Sequence, residues 1–297
     1  MSLTNRREFI QHSLAVGAAA ALPLNALPLN AAPAQVRRAS DVILLGPEKI
    51  RVSRLAMGTG TFGSGGSSNQ MRKLGANGLG DLFSAALDNG VFFWDLSDGY
   101  GSHAAARSAL TVNKIPREKV TIQSKVYART ADQLRADLER FRKEMASDYI
   151  DIILLHGLRD EKWTETQKPM MDVLAEYKQK KIVRSHGISC HGIAAGELAL
   201  KTPWCEIFQI PLNPGGEKMR MDGPIDVVVP LMAKMRAAGK GVITMKVLGE
   251  GRLRDRVDEC LRFSYAKDVT DAITIGHESR DELTDIVARI EKNSVPA

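Results

Sequence analysis

Residues 148–156 read Asp148-Tyr149-Ile150-Asp151-Ile152-Ile153-Leu154-Leu155-His156. The apolar run Ile150–Leu155 is too short for a buried helix, is rich in β-branched residues and stops at a titratable side chain. Helical spacing flanks it on both sides. Upstream, Leu134, Leu138, Phe141 and Met145 fall at i, i+4, i+7 and i+11, with Thr130 and Gln133 placed as a capping box at the start. Downstream, Met171, Leu174 and Tyr177 line a second helix. Seven further runs of the same kind are Leu55–Met57, Val91–Trp94, Val120–Ile122, Val183–Ile188, Ile207–Ile210, Gly241–Met245 and Ala272–Ile275. Helical faces also occur at Val228, Leu231, Met232 and Met235, and at Leu283, Ile286, Val287 and Ile290.

Eight short strands alternating with helices imply a parallel sheet, either open and doubly wound or closed into a barrel. After the first run, Gly58-Thr59-Gly60-Thr61-Phe62-Gly63 spells G-x-G-x-x-G. Taken alone this is a weak dinucleotide signal, and no acidic residue ends a second strand about 20 residues later to complete the fingerprint. Eight repeats without a domain break favour an α/β fold consisting of a single (β/α)8 TIM barrel over residues 42–290. Residues 42–52, turning at Gly46-Pro47, read as a short N-terminal β-hairpin placed to close the barrel floor.

Apolar residues make up 44% and charged residues 26%, which excludes a disordered chain. The net charge of +6 is spread without a long basic run, so no nucleic-acid partner is expected. Cys190, Cys205 and Cys260 are odd in number and lack C-x-x-C spacing, which argues against a disulfide framework. His186, Cys190 and His191 offer at most two ligands from one strand face, since His191 points the other way, so no metal site is expected.

The N-terminus has its own grammar. Arg6-Arg7-Glu8-Phe9-Ile10 precedes an Ala-rich apolar stretch from Leu14 to Leu29, and Ala32-Pro33-Ala34 offers a small-x-small cleavage site. Residues 1–34 therefore read as a signal peptide resembling the twin-arginine type. Pro23 and Pro28 break the apolar stretch before it reaches the length of a membrane span. The expectation is a chain handed to the twin-arginine export machinery, cleaved near Ala34, without a stable membrane anchor, and periplasmic or otherwise exported.

Titratable groups sit where the strands end, which in a barrel is where chemistry gathers. Asp95, Lys125 and His156 are spaced 30 and 31 residues apart, one βα unit each, and Tyr100 follows Asp95 by five. Each residue alone has a bland reading as a cap or a surface charge; their recurrence at equivalent positions points to one mouth.

At these residues the chain resembles the aldo-keto reductase family. Asp95-x4-Tyr100-Gly101, Lys125 and His156 match its catalytic tetrad, and Gly58-Thr59, His186-Gly187-Ile188-Ser189 and Gln209-x3-Asn213 match further family positions. Val242–Gly249 is similar to a bacterial branch that often carries a C-terminal ferredoxin-like cysteine cluster. This sequence lacks that cluster, so no iron–sulfur centre is expected. The resemblance implies an NADP-dependent reductase of aldehydes or ketones, with NAD possible. Tyr100 would be the general acid, Lys125 would lower its pKa, Asp95 would hold Lys125, and His156 would orient the carbonyl. Implied cofactor contacts are Gly58, Thr59, Ser189, Gln209, Leu248, Gly249, Gly251, Gly276, Arg280 and Asp285, together with Cys190, which stands where the family carries Asn. Glu282 and Ile286 stand where the family often carries Arg and Asn. The same residues also admit two other classes: a Schiff-base lyase using Lys125 as nucleophile, and a non-catalytic nucleotide-binding protein on the same barrel. The implied partner is a small-molecule carbonyl substrate.

Overall fold

The computed structural model describes residues 36–294; the signal peptide expected over residues 1–34 lies outside them. The chain opens with an antiparallel hairpin, β1 (Val42–Leu45) and β2 (Ile50–Ser53), in which Val42 faces Ser53 and Leu45 faces Ile50. Then follow β3 (Leu55–Gly58), α1 (Asn69–Asp88), β4 (Phe93–Asp95), α2 (His103–Thr111), β5 (Thr121–Val126), α3 (Ala131–Met145) and β6 (Ile150–Leu158). The second half contains α4 (Trp163–Thr166), α5 (Lys168–Gln179), β7 (Val183–Cys190), α6 (Ile193–Lys201), β8 (Ile207–Pro211), α7 (Ile225–Ala237), β9 (Gly241–Met245), α8 (Val257–Ala266), β10 (Ala272–Gly276) and α9 (Arg280–Asn293). Strands β3 to β10 pair in parallel and in sequence order, and β10 returns to β3 with Ile273 beside Leu55 and Gly276 beside Gly58. The eight apolar runs are thus the eight staves of a closed barrel.

The helix faces read from the spacing are the buried ones, with Val287 of α9 half-buried at the edge of its face. In α3 they are Leu134, Leu138, Phe141 and Met145, and the Thr130 hydroxyl accepts the Gln133 N–H at 3.2 Å. The other half of the box is shifted by one residue: the Gln133 side chain accepts the N–H of Arg129 rather than that of Thr130. Strand ends differ from the apolar runs for a local reason at β4. The Ser53 hydroxyl accepts both the Phe92 and the Phe93 N–H at 3.0 Å, so the strand starts at Phe93 rather than at Val91. Strands β5, β6 and β7 run two to four residues past their apolar runs because their last inward positions are polar.

The barrel interior is layered. Leu45, Ile50 and Val52 of the hairpin pack with Ala56, Phe93, Ile152, Leu154, Ile207, Ile243 and Ala272 into one buried cluster at the floor. Above it the inward side chains become polar, and at the mouth they become ionisable, as the alternation along each strand dictates. The hairpin is therefore the plug its sequence suggested, with Gly46 in the left-handed region (φ +64°) so that the chain turns back under the staves.

Leu45 is fully buried in that plug whereas Leu44, one residue away, is 59% exposed. Leu45→Ala should lower stability by about 2–5 kcal/mol through the cavity it leaves. Leu44→Ala should leave the urea midpoint nearly unchanged, so parallel denaturant curves check the floor directly.

Candidate active site

Asp95 closes β4 and points into the barrel, 4% exposed. A carboxylate buried there needs partners for every lone pair, and four side chains supply them. Lys125 Nζ and Gln123 Nε2 (2.7 Å) donate to Oδ1, while Gln209 Nε2 (2.9 Å) and Thr274 Oγ1 (3.0 Å) donate to Oδ2. Lys125, 1% exposed, also donates to the Leu96 carbonyl at 3.2 Å. Gln123 and Thr274 were not singled out from the sequence. Their signal was parity: Gln123 lies two residues before Lys125 and so shares its face.

Tyr100 comes from a single 3-10 turn, Asp98–Tyr100, that follows β4. Arg140 of α3 grips both oxygens of Asp98 at 2.8 and 3.0 Å, which anchors that turn to the barrel wall. The Tyr100 ring lies with its centroid 5.2 Å from Lys125 Nζ, and its hydroxyl is 3.3 Å from His156 Nε2. The other ring nitrogen of His156 is 3.3 Å from the Ser97 hydroxyl, which itself accepts the Gly99 N–H at 3.2 Å. Tyr127 stacks flat on His156 with centroids 4.2 Å apart. Burial, with Lys125 next in weight, holds His156 well below its ordinary pKa and so neutral. Burial, followed by the field of Asp95, pushes the Tyr100 phenol upward. This corrects the expectation that Lys125 would lower it: the Lys125 charge is already offset by Asp95 at direct contact, so the phenol stays protonated.

The G-x-G-x-x-G run has a use other than a phosphate turn. A Cβ on Gly60 would sit 2.4 Å from the Tyr100 ring, and one on Gly63 likewise 2.4 Å from it. The two glycines form the bed on which the ring lies.

All four of Asp95, Tyr100, Lys125 and His156 line a cleft of about 1150 Å³ at the barrel mouth. Of the implied cofactor residues, Gly58, Leu248, Gly251, Gly276 and Asp285 line it too. The others are placed elsewhere. Gln209 is committed to Asp95, and Thr59 is buried, donating to the Asp95 carbonyl at 2.9 Å. The Cys190 thiol faces outward into the helix layer and donates to the Gly192 carbonyl, because its neighbour Ser189 takes the inward position. Burial pushes that thiol up to about 12. Gly249 is buried and Arg280, the first residue of α9, does not line the cleft. Two groups fit a polar ligand: the Ser189 hydroxyl and both ring nitrogens of His277 are buried without a hydrogen-bond partner among the described residues. His191 lines the cleft, as its strand parity required.

A closed eight-stranded barrel with a buried Lys–Asp pair, a Tyr and a His gathered at its mouth defines the class: a (β/α)8 barrel with its ionisable groups collected at one end. Residues 54–294 match the model of the aldo/keto reductase family, and the chain belongs to that family. It is 32% identical over 143 residues to an aldo-keto reductase of Mycolicibacterium smegmatis, covering 44% of this chain and 47% of that one. It is 27% identical over 134 residues to a methylglyoxal reductase of Salmonella typhi, covering 43% and 50%. The matches thus span about half the length of these curated relatives. Among solved structures, a candidate aldo-keto reductase from Pseudomonas aeruginosa superposes with a TM-score of 0.70 at 22% identity over 86% of this chain and 97% of that one. A holo-form aldo-keto reductase from Bacillus halodurans gives 0.66 at 16% identity over 86% and 94%. At these identities the two structures speak for the fold.

Gly60→Ala should displace the Tyr100 ring while leaving the barrel folded, since Gly60 needs no left-handed backbone and the clash is local. Should Tyr100 act as the proton donor of the reaction proposed below, kcat should fall by about 10²-fold or more, the range of a misplaced acid, with an unchanged urea midpoint. Steady-state kinetics beside denaturation check both halves.

Proposed function

We propose that this protein reduces an aldehyde or ketone to the alcohol with NAD(P)H. One observation carries the reading: the Tyr100 hydroxyl lies 3.3 Å from His156 Nε2, and its ring lies beside a buried Lys125 that is paired with Asp95. Ser189, Gly58, Leu248, Gly251, Gly276, His277 and Asp285 are the residues that would hold the nucleotide, which supplies the hydride when bound. The substrate oxygen is received between the Tyr100 hydroxyl and His156 Nε2. As negative charge builds on that oxygen, Tyr100 transfers its proton to it, leaving a tyrosinate that solvent reprotonates. His156 stays neutral and orients the oxygen by a hydrogen bond, with Tyr127 holding its ring plane. The Lys125 nucleophile of a Schiff-base lyase is not favoured, because the ammonium is 1% exposed and bound to a carboxylate.

Tyr100→Phe should cut turnover of an aldehyde by about 10²–10⁴-fold while nucleotide binding, followed by fluorescence, persists. Near wild-type turnover would remove Tyr100 from the chemistry. The pH profile follows from the two shifts. A general acid works while protonated, and the Tyr100 pKa is raised; His156 works while neutral, and its pKa is lowered. Reduction should therefore be level from about pH 6.5 to about pH 10, the ordinary values of the two groups, and an inflection inside that window counts against the assignment.

We propose further that residues 1–34 direct the protein out of the cytoplasm, on the support of Arg6-Arg7 and the uncharged stretch behind them. Replacing both arginines with Lys should leave the uncleaved protein in the cytoplasmic fraction, and periplasmic recovery of that variant would overturn the proposal.

A further inference from the structure

The cleft runs from the Tyr100 end to the loop after β10 and the first turns of α9, where Gly276, His277, Glu278, Glu282, Asp285 and Ile286 form its wall. In barrels of this kind phosphate groups settle on the loops after the last two strands and on the helix N-terminus that follows. Resting on the proposed reductase reading, we infer that this end of the cleft selects NAD(H) and rejects NADP(H), reversing the cofactor preference implied by the family resemblance.

Three observations carry it. First, the N-terminus of α9 already holds its own anion. The Ser279 hydroxyl accepts the Glu282 N–H at 3.2 Å, and the Glu282 carboxylate accepts the Glu278 N–H at 2.7 Å. That reciprocal cap occupies N–H groups a phosphate would use and sets a full negative charge on the positive end of the helix. Second, the wall from Gly276 to Ile286 presents three carboxylates, Glu278, Glu282 and Asp285, and no cation among its lining residues. Lys73 and Arg289 each hold one oxygen of Glu278 and Asp285, at 3.3 and 2.7 Å, from outside the cleft lining. The cations that do line the cleft beyond the Tyr100 end, Lys246, Arg252 and Arg254, belong to the segment after the neighbouring strand β9, the one expected under the pyrophosphate, and the first two lean on Glu250 at 3.5 and 3.4 Å. Third, His277 is 1% exposed, lines the cleft, and has no partner for either ring nitrogen among the described residues. Burial lowers its pKa to about 4. A neutral imidazole offers one donor and one acceptor to hydroxyls or to a base edge, and brings no charge to a phosphate.

A 2′-phosphate adds about −1.5 to −2 charges beside three carboxylates. A free 2′-hydroxyl instead donates to one of them, the arrangement by which dinucleotide sites favour NAD.

The test is a fluorescence titration of the full chain with NADH and with NADPH, repeated in the presence of 5′-AMP and of 2′,5′-ADP. We expect NADH to bind at least about tenfold more tightly, with 5′-AMP the better competitor. Glu282→Gln and, separately, Asp285→Asn should each shrink the ratio of the two dissociation constants; Asp285→Asn leaves the cap intact should loss of Glu282 unfold the helix end. Raising salt should also narrow the ratio, by screening the repulsion. Equal or tighter binding of NADPH overturns the inference and leaves the reductase reading standing. Preferential NADH binding without Tyr100-dependent carbonyl turnover upholds the inference and overturns the reading. Failure to bind either nucleotide overturns both.

Discussion

The contact between the Lys125 ammonium and the Asp95 carboxylate lies across two adjacent staves of the barrel, and both side chains are all but sealed from solvent. Taking two charges out of water is repaid only when every remaining hydrogen-bonding position is filled. That demand explains the otherwise odd polarity of the barrel interior. Gln123, Gln209 and Thr274 come from three different strands, and each spends a donor on Asp95. Gln123 also reaches the Gln209 side chain at 3.4 Å, so the polar layer is one connected network. Removing one partner would strand a buried charge at a cost of about 3–5 kcal/mol.

Such a network is affordable only above a dry floor. The hairpin residues Leu45, Ile50 and Val52 close the end of the barrel opposite the mouth, and Phe93, Ile152, Leu154, Ile207 and Ile243 fill the space between. With water admitted on one side alone, the polar layer faces solvent only through the mouth. There burial has a uniform effect on the neutral groups: it raises the Tyr100 phenol and lowers the His156 and His277 imidazoles, so all three are uncharged near neutral pH.

Much of this was legible in the residues, and the failures share a cause. Eight apolar runs gave eight strands because barrel staves are buried on both faces and the pattern persists through them. Their upper ends were cut short because the apolar pattern stops where the polar layer starts, as at Ser189 and Lys125. The tetrad positions showed themselves through spacing, one βα unit apart. The contacts carried over for a nucleotide fared less evenly. Cys190 follows an inward Ser189 and so faces the helices, and Gln209 spends its amide on Asp95. Strand parity contained the first of these facts. The second needed the knowledge that four donors converge on one carboxylate, a long-range fact that no local pattern holds. The glycine run after β3 reads as a nucleotide motif by spacing, yet Gly60 and Gly63 are small because an aromatic ring lies against them.

Several charges around the Tyr100 end of the cleft are paired. Lys125 answers to Asp95, Lys246 and Arg252 to Glu250, and His191 lies 3.3 Å from Asp222. On the proposed reading, a neutral carbonyl enters a site whose central charges are already paired and whose nearest donors are neutral. Such a site gives the ground state little electrostatic gain. Gain appears when the oxygen becomes negative, because the Tyr100 and His156 hydrogen bonds then strengthen while the Lys125 charge stays fixed behind the phenol. The groups need not move at that moment: Arg140 holds the turn bearing Tyr100, Tyr127 holds the His156 plane, and four donors hold Asp95. The barrel's contribution to rate is in this sense spent during folding, when the polar layer is assembled over its apolar floor.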